Sequence, residues 1–177
     1  MKALPLALLV LLTGCPRPAA EAPSTARIAS VTIDSDATLW ALGEDVRRDV
    51  VAVSALVDDA RYSPITDTWP ASVPRVSGTS ESLVALRPTV VFVAEWSDPA
   101  GRALLEQADT KVVVLSGYGG FDDYRARVRT IAEAVGAQAR GEALVAEFDA
   151  AVKAVTADAG HGMTVVSYAS GSVAAQG

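Results

Sequence analysis

Few side chains in this 177-residue chain could carry out catalysis. His161 is the only histidine and Cys15 is the only cysteine, so an internal disulfide, a multi-histidine zinc site and a histidine-activated nucleophile are all disfavoured. The carboxylates of Asp58-Asp59, and those of Asp122-Asp123, are adjacent in sequence and point apart instead of converging on one proton. We therefore predict that the chain is not an enzyme, and we interpret His161 as a solvated turn residue.

Phosphate recognition is also disfavoured. Gly117-Tyr118-Gly119-Gly120 lies between a predicted strand and a predicted helix, where a phosphate-cradling loop would sit. The third glycine of a GxGxxG motif, however, would fall at Asp122, whose charge repels phosphate. The net charge of −6 argues against nucleic acid as a partner, because phosphate backbones require clustered Lys and Arg.

The amino terminus has the pattern of a targeting signal. Lys2 precedes an apolar run of about ten residues, too short for a spanning helix. The following Leu12-Thr13-Gly14-Cys15 resembles the lipobox of bacterial lipoproteins. This resemblance implies that residues 1–14 are a signal peptide and that the sulfur of Cys15 carries a diacylglyceryl lipid; an ordinary secretory signal is the alternative. Residues 15–26 contain three prolines and are typical of a flexible tether, so we expect a lipid-anchored protein outside the cytoplasm.

The remaining chain alternates between strand and helix patterns. Apolar, β-branched runs predict strands at 27–33, 50–54, 89–94 and 111–115, with a long loop at 55–79. Helices are predicted at 36–42, 80–86, 99–108 and 121–135, the third one capped by Asp98 and started by Pro99. This alternation predicts a Rossmann-like α/β lobe over residues 27–137, built on a parallel sheet. Ligands of such sheets lie beyond the carboxyl ends of the strands.

A long helix interrupts the alternation. Residues 138–157 carry an apolar stripe of Leu144, Phe148 and Val152, and they span about 30 Å as a helix. A new strand at 163–168 follows, and the chain stops at Gly177 in a small-residue loop with no helix to cover that strand. We therefore expect a truncated sequence, with a linking helix at 138–159 and the start of a second lobe at 160–177.

With these elements placed, the sequence resembles the class III periplasmic substrate-binding proteins of ABC importers. The matching segments are RIASV at 27–31, ATLWALG at 37–43, VVAVS at 50–54, VPRVSG at 73–78 and ESLVALRP at 81–88. Members of this family clamp cobalamin, a ferric siderophore or haem between two α/β lobes joined by one rigid helix. The resemblance implies that 138–159 is that interlobe helix and that about 100 residues of the second lobe are missing.

The resemblance implies a monomeric solute-binding protein that captures a cobalt or iron chelate, either cobalamin or a ferric siderophore, and delivers it to an ABC permease. No cofactor of its own is expected. One alternative is a haem-binding or divalent-metal-binding lipoprotein of the same architecture, although divalent-metal sites of this kind use several histidines. Another is a lipid-anchored adaptor without a small ligand.

Aromatic residues are the candidates for ligand contact, because a chelate requires flat apolar surfaces with few polar groups. Trp96 and Tyr118 each follow a predicted strand, and Tyr118 could also donate a phenolate to iron. Tyr62 and Trp69 lie in the loop that forms part of the cleft rim in the family, where packing of the loop onto the lobe is an equal alternative. Tyr168 is the candidate from the second lobe.

One acidic residue is a candidate for the permease interface. In the family, an exposed glutamate on each lobe docks into an arginine pocket of the permease, and Glu81 stands at the matching position. The alternative is an acid that is favoured by the helix dipole at the first turn of a helix.

Overall fold

The computed structural model describes residues 26–78, 81–157, 165–169 and 172–176. Its centre is a sheet of five parallel strands, which are β1 (Ile28–Ser30), β2 (Val50–Ser54), β3 (Arg75–Val76), β4 (Val90–Ala94) and β5 (Lys111–Leu115). The strand order β3-β2-β1-β4-β5 grows first to one side of β1 and then to the other. The sheet therefore has a topological switch point between β1 and β4, and the predicted Rossmann-like α/β architecture is confirmed.

Helices cover both faces of this sheet. On one face lie α1 (Ile33–Ala41), α2 (Glu44–Arg48), α5 (Phe121–Ala134) and the first half of α6 (Gln138–Ala157). On the other face lie α3 (Glu81–Ala85) and α4 (Pro99–Gln107). Strand β4 shows the division, because Val90 and Phe92 belong to the first core and Val91 and Val93 to the second. A strand buried on both faces explains its continuous apolar sequence.

The first strand is shorter than its β-branched sequence predicts. Thr32 has an extended backbone, and its side-chain oxygen accepts a hydrogen bond from the Ser35 N–H at 3.1 Å. This N-cap begins α1 at Ile33, so three residues predicted as strand belong to the turn and the helix. The helix start is then fixed at the carboxyl end of β1.

Two elements within residues 27–137 were not predicted from the sequence. Helix α2 follows Gly43, and the two-residue strand β3 lies inside the segment predicted as a loop. Strand β3 pairs with the end of β2, and Arg75 on β3 donates hydrogen bonds to the carbonyls of Trp69, Pro70 and Val73. These elements depend on tertiary pairing and are too short to produce a periodic pattern.

Strand β5 is less buried than its apolar sequence, typical of a buried strand, would indicate. Lys111 and Val114 are exposed, whereas Leu115 is fully buried. The reason is position in the sheet: β5 is the last strand in the order and pairs on one side with β4.

The later helices agree with the sequence analysis. Asp98 caps α4 by accepting from the N–H groups of Ala100 and Gly101, and α6 has the predicted bounds of a 20-residue helix. After it, β6 (Val165–Ala169) and β7 (Ser172–Gln176) pair antiparallel. The small-residue ending predicted as a loop therefore contains a strand. Within the described part of the chain, no helix combines the length and apolarity that crossing a membrane requires.

Candidate functional site

The carboxyl edge of the sheet presents two exposed aromatic rings. Trp96 lies two residues beyond β4 and Tyr118 three residues beyond β5, and these neighbouring strands are in register. The ring centroids of Trp96 and Tyr118 are 4.7 Å apart with an interplanar angle of 52°. Their exposed fractions are 69% and 39%. The sequence thus placed both residues correctly at this edge, and the structure brings them into contact with each other.

A buried arginine supports this aromatic pair. The guanidinium carbon of Arg127 on α5 lies 4.1 Å from the ring centroid of Tyr118. The Nε of Arg127 donates to the Asp34 carboxylate at 2.8 Å, and its Nη1 donates to the carbonyl of Gly117. Because Arg127 is largely desolvated, the Asp34 carboxylate compensates its charge. The cation–π contact with the ring and the hydrogen bond to the Gly117 carbonyl together hold Tyr118 in its position.

The buried pair of Arg127 and Asp34, which supports the Tyr118 loop, was not predicted from the sequence. The four buried positions of α5 are Arg127, Val128, Ile131 and Ala132. An arginine inside an otherwise apolar stripe is a sequence signal of a buried ion pair, and it could have been noticed. Its partner could not have been identified, because Asp34 lies 93 residues earlier in the chain.

The loop that carries Tyr118 is held at a second point. Asp123 accepts a hydrogen bond from the Gly119 N–H at 2.9 Å. Gly117 has a φ of +73°, and a Cβ at this position would lie 2.9 Å from the Cγ of Asp123. The positive φ therefore favours glycine, and a Cβ here would push the Asp123 carboxylate away from the loop that it closes. The sequence Gly117-Tyr118-Gly119-Gly120 therefore forms a tight loop that carries Tyr118 and is closed by Asp123.

Tyr118 is a neutral phenol at ordinary pH. Partial burial raises the pKa of Tyr118, the Asp34 carboxylate raises this pKa further, and the Arg127 guanidinium opposes both effects. The ring is therefore available for stacking, with an O–H group at its end. Deprotonation to a phenolate ligand would require a metal ion to overcome this raised pKa.

A buried carboxylate lies under the same edge. Both oxygens of the Asp36 carboxylate are 3.2 Å from the Ser54 backbone nitrogen, which ties α1 to the end of β2. Asp36 is fully buried, and this burial raises its pKa from 3.8 to about 7, against the opposing effect of hydrogen bonds from Ser30 and Ser54. Asp36 therefore changes charge near neutral pH within the scaffold of the site.

The loop after β2 forms an outer part of this edge. Asp58 pairs with Arg75 at 2.8 Å, and Arg75 holds the pKa of Asp58 below its ordinary value. Tyr62 is exposed, and its described ring contact is with the neighbouring Arg61 at 5.3 Å. Its ring is accessible in a loop that begins at the carboxyl edge, but it is not brought into contact with Trp96 or Tyr118.

Trp69 does not lie at the carboxyl edge. It is 3% exposed, and its ring packs against Trp40 with centroids 5.1 Å apart. Strand β3 is parallel to β2, so the segment between them must run from the carboxyl edge back to the amino edge. Trp69 lies in this segment, shortly before β3 begins. The rim position expected for Trp69 is therefore corrected: the packing alternative describes this residue.

Three predicted residues remain, Glu81, Tyr168 and Cys15, and the structure describes them to different extents. Glu81 is the first residue of α3 and is exposed, and because α3 follows β3 it begins near the carboxyl edge. Tyr168 belongs to β6, where its backbone pairs with Val173. Cys15 and residues 1–14 lie outside the described residues. Within the described residues, no group of three His, Cys, Asp or Glu side chains could hold a metal ion.

The chain is similar to a known protein family and to several solved structures. Residues 28–173 match the periplasmic binding protein family. A comparison with curated protein sequences finds no match. Among solved structures, the periplasmic heme-binding protein RhuT from Roseiflexus sp. RS-1 is 27% identical, with 74% of this chain and 49% of that chain covered and a TM-score of 0.59.

Two further structures share the fold. The periplasmic vitamin B12 binding protein BtuF of Vibrio cholerae is 17% identical, with 74% of this chain and 49% of that chain covered and a TM-score of 0.57. The siderophore binding protein BauB, bound to two molecules of acinetobactin and ferric iron, is 16% identical, with coverages of 85% and 55% and a TM-score of 0.59. The chain spans about half the length of these structures.

Members of the matched family are solute-binding proteins, not enzymes; they act outside the cytoplasm and bind small metal-containing ligands for ABC permeases. The match begins at β1, includes the whole parallel sheet and α6, and extends into β7. The chain therefore belongs to the periplasmic binding protein family.

Proposed function

We propose that this chain forms the first lobe, the linking helix and the beginning of the second lobe of a solute-binding protein for a metal chelate. The observation that carries this proposal is the Trp96–Tyr118 surface beside the switch point of the sheet. Two exposed rings supported by a buried cation suit a flat, largely apolar ligand with polar groups at its rim. A cobalt corrinoid or a ferric siderophore, delivered to an ABC permease, fits this description.

Haem is the second candidate ligand. RhuT, which has the highest sequence identity of the three structures above, is a periplasmic heme-binding protein. A porphyrin is planar and could cover both rings at once. The raised pKa of Tyr118 favours stacking or hydrogen bonding by this residue over coordination of iron. Tyr168, on the second lobe in this proposal, would face the ligand from the opposite side.

Helix α6 is the proposed interlobe helix. Its first half packs on α5 through the Arg129–Glu142 and Arg125–Asp149 pairs and through the Phe148 ring. Beyond Phe148 its residues are mostly exposed, and Val155 is 72% exposed. A helix anchored at one end and projecting at the other is suited to hold two lobes at a fixed separation.

The remaining parts of the proposal concern location and partner. A lipid on Cys15 would anchor the protein to a membrane, with residues 15–26 as the tether. Glu81, exposed at the start of α3 near the same edge as the aromatic pair, would dock into a cationic pocket of the permease.

A ligand panel on the complete protein tests the proposal. Cyanocobalamin, a ferric hydroxamate, a ferric catecholate and haem would each be titrated while tryptophan fluorescence is recorded. We expect saturable quenching with one-to-one stoichiometry for one class of chelate. Absence of saturable quenching by all four, with a folded protein, would contradict the proposal and favour the adaptor without a small ligand.

A further inference from the structure

A second concave surface lies at the opposite edge of the lobe from the aromatic pair. A cavity of about 650 Å³ opens at the amino ends of β1, β2 and β3. We call it the amino-edge groove; residues that line it include Trp40, Trp69, Arg27, Arg47, Pro70 and Pro74. The groove is not explained by the ligand site proposed above, because that site lies at the carboxyl edge.

Two buried hydrogen-bond donors in the wall of this groove lack an acceptor. Trp69 Nε1 and Arg47 Nε have no hydrogen-bond partner among the described residues. The Arg47 guanidinium stacks on the Trp40 ring at 4.2 Å, which holds it against the groove wall. Leaving a buried N–H group without an acceptor is unfavourable, so an occupant that offers oxygen atoms would be favoured. The flexible stem of Arg47 allows its Nε–H to turn toward such an atom.

The groove as a whole is rich in donors. Arg27, Arg47 and Arg48 line it, whereas Glu44 is the one carboxylate among its described lining residues. Arg27 already donates to the Leu86 and Arg87 carbonyls. The aromatic and proline surface beside these cations suits a segment that combines apolar rings with carbonyl or carboxylate oxygens.

The chain itself enters the fold at this groove. Arg27 lines the groove and directly precedes β1, and Ala26 packs against the core cluster that contains Trp69. Residue 25 is therefore joined covalently to the chain beside this groove. In an extended polyproline conformation residues 16–25 would measure about 30 Å.

We propose that residues 16–25 of this chain dock in the amino-edge groove. Pro16, Pro18 and Pro23 each offer a backbone carbonyl without an N–H group, which suits a groove whose lining is rich in donors, while Arg17 brings one cation to the segment. Proline-rich segments dock in aromatic-lined grooves because their extended conformation is already restricted. The Glu21 carboxylate adds an acceptor for the Arg47 guanidinium.

A spin-label experiment on the full chain tests this docking. Cys15→Ser removes the single cysteine, and Ala20→Cys then provides one site for a nitroxide label. The indole N–H signals of Trp40, Trp69 and Trp96 are assigned by single Trp→Phe replacements. We expect the label to abolish the Trp40 and Trp69 signals and to leave Trp96, at the opposite edge, as a sharp internal reference.

A control variant distinguishes docking in the groove from proximity that is due only to the covalent connection. In this control, Pro16, Pro18, Glu21 and Pro23 are all replaced by serine while the label and the segment length are kept. We expect the Trp40 and Trp69 signals to persist in the control. Equal behaviour of the two chains would overturn the proposal: signals kept in both would mean no docking, and signals lost in both would mean proximity through the covalent connection alone.

Discussion

The position of Tyr118 depends on one buried charge. Arg127 contacts the underside of the ring, binds the Gly117 carbonyl and is neutralised by Asp34. A leucine at position 127 would complete the apolar stripe of α5, but it would leave the Tyr118 loop without this hydrogen bond. At the scale of single residues, the proposed ligand surface is therefore held in place by contacts within the lobe itself.

The raised pKa of Asp36 predicts that the stability of the protein depends on pH. Its pKa is raised from 3.8 in the unfolded chain to about 7 in the folded one, chiefly by burial. Between these values the unfolded chain loses the proton while the folded chain retains it, so the contribution of Asp36 to stability decreases as pH rises. Asp36→Asn should therefore gain about 4 kcal/mol of unfolding free energy relative to the native chain between pH 4 and pH 8.

Urea unfolding of both chains at several pH values measures this difference. The asparagine oxygen can still accept the Ser54 N–H, so the two chains should be close in stability near pH 4. Parallel pH curves for the two chains would show that Asp36 is not the group responsible.

Sequence reasoning placed Trp96 and Tyr118 at the carboxyl edge of the sheet, where the structure has them, but it did not predict the pairing of Asp34 with Arg127. Trp96 and Tyr118 follow apolar strands, and the rule that parallel strands bind ligands at their carboxyl ends was sufficient to select them. The rim position predicted for Trp69 was wrong because the sequence of a loop does not reveal which edge of the sheet the loop reaches. The ion pair of Asp34 and Arg127 joins α1 to α5, and a single sequence does not show which distant helices are in contact.

At the scale of elements, the loop between β5 and α5 is the most constrained part of the site. Gly117→Ala should destabilise the protein more than Gly136→Ala, although both glycines have a φ of +73°. A Cβ at Gly136 would meet nothing within 4 Å, so only the cost of the left-handed conformation, about 1–2 kcal/mol, applies there. At Gly117 the contact with Asp123 adds to that cost.

Chemical denaturation of the two variants tests this comparison. We expect a larger loss of unfolding free energy for Gly117→Ala, together with a changed fluorescence of Trp96 as Tyr118 moves. Equal losses and an unchanged Trp96 signal would mean that Asp123 does not close the loop in solution.

The elements that sequence reasoning identified well are those with strong local signals. Helix α4 has an aspartate cap followed by proline, and α6 has a long apolar stripe, so their positions matched closely. Elements α2, β3 and β7 are no longer than five residues, and the exposed face of β5 depends on which strand is last in the sheet. Short elements and strand order are decided by tertiary contacts, which local patterns do not contain.

At the scale of the whole molecule, ligand capture and permease docking should be separable. Glu81 lies on α3, whereas the aromatic pair lies on the loops after β4 and β5. We expect Glu81→Arg in the complete protein to lower uptake by about tenfold or more while ligand affinity is unchanged, because reversing one charge opposes docking only.

Uptake in cells and affinity of the purified protein would be measured side by side. Glu106→Arg is the matched control, because it makes the same charge change on an exposed residue near the end of α4. An equal loss of affinity and uptake in Glu81→Arg, or an equal uptake defect in the control, would contradict the docking role.

The central claim is that the Trp96–Tyr118 surface forms one wall of the ligand site. The most direct measurement is the affinity of the complete protein for its chelate after Trp96→Ala, with Trp69→Phe as the control at the opposite edge. Losing the area of an exposed tryptophan from the contact should weaken binding by about tenfold to a hundredfold, whereas the control should bind as the native protein does. Native affinity in Trp96→Ala, with or without a loss in Trp69→Phe, would contradict the claim that the ligand lies at the carboxyl edge.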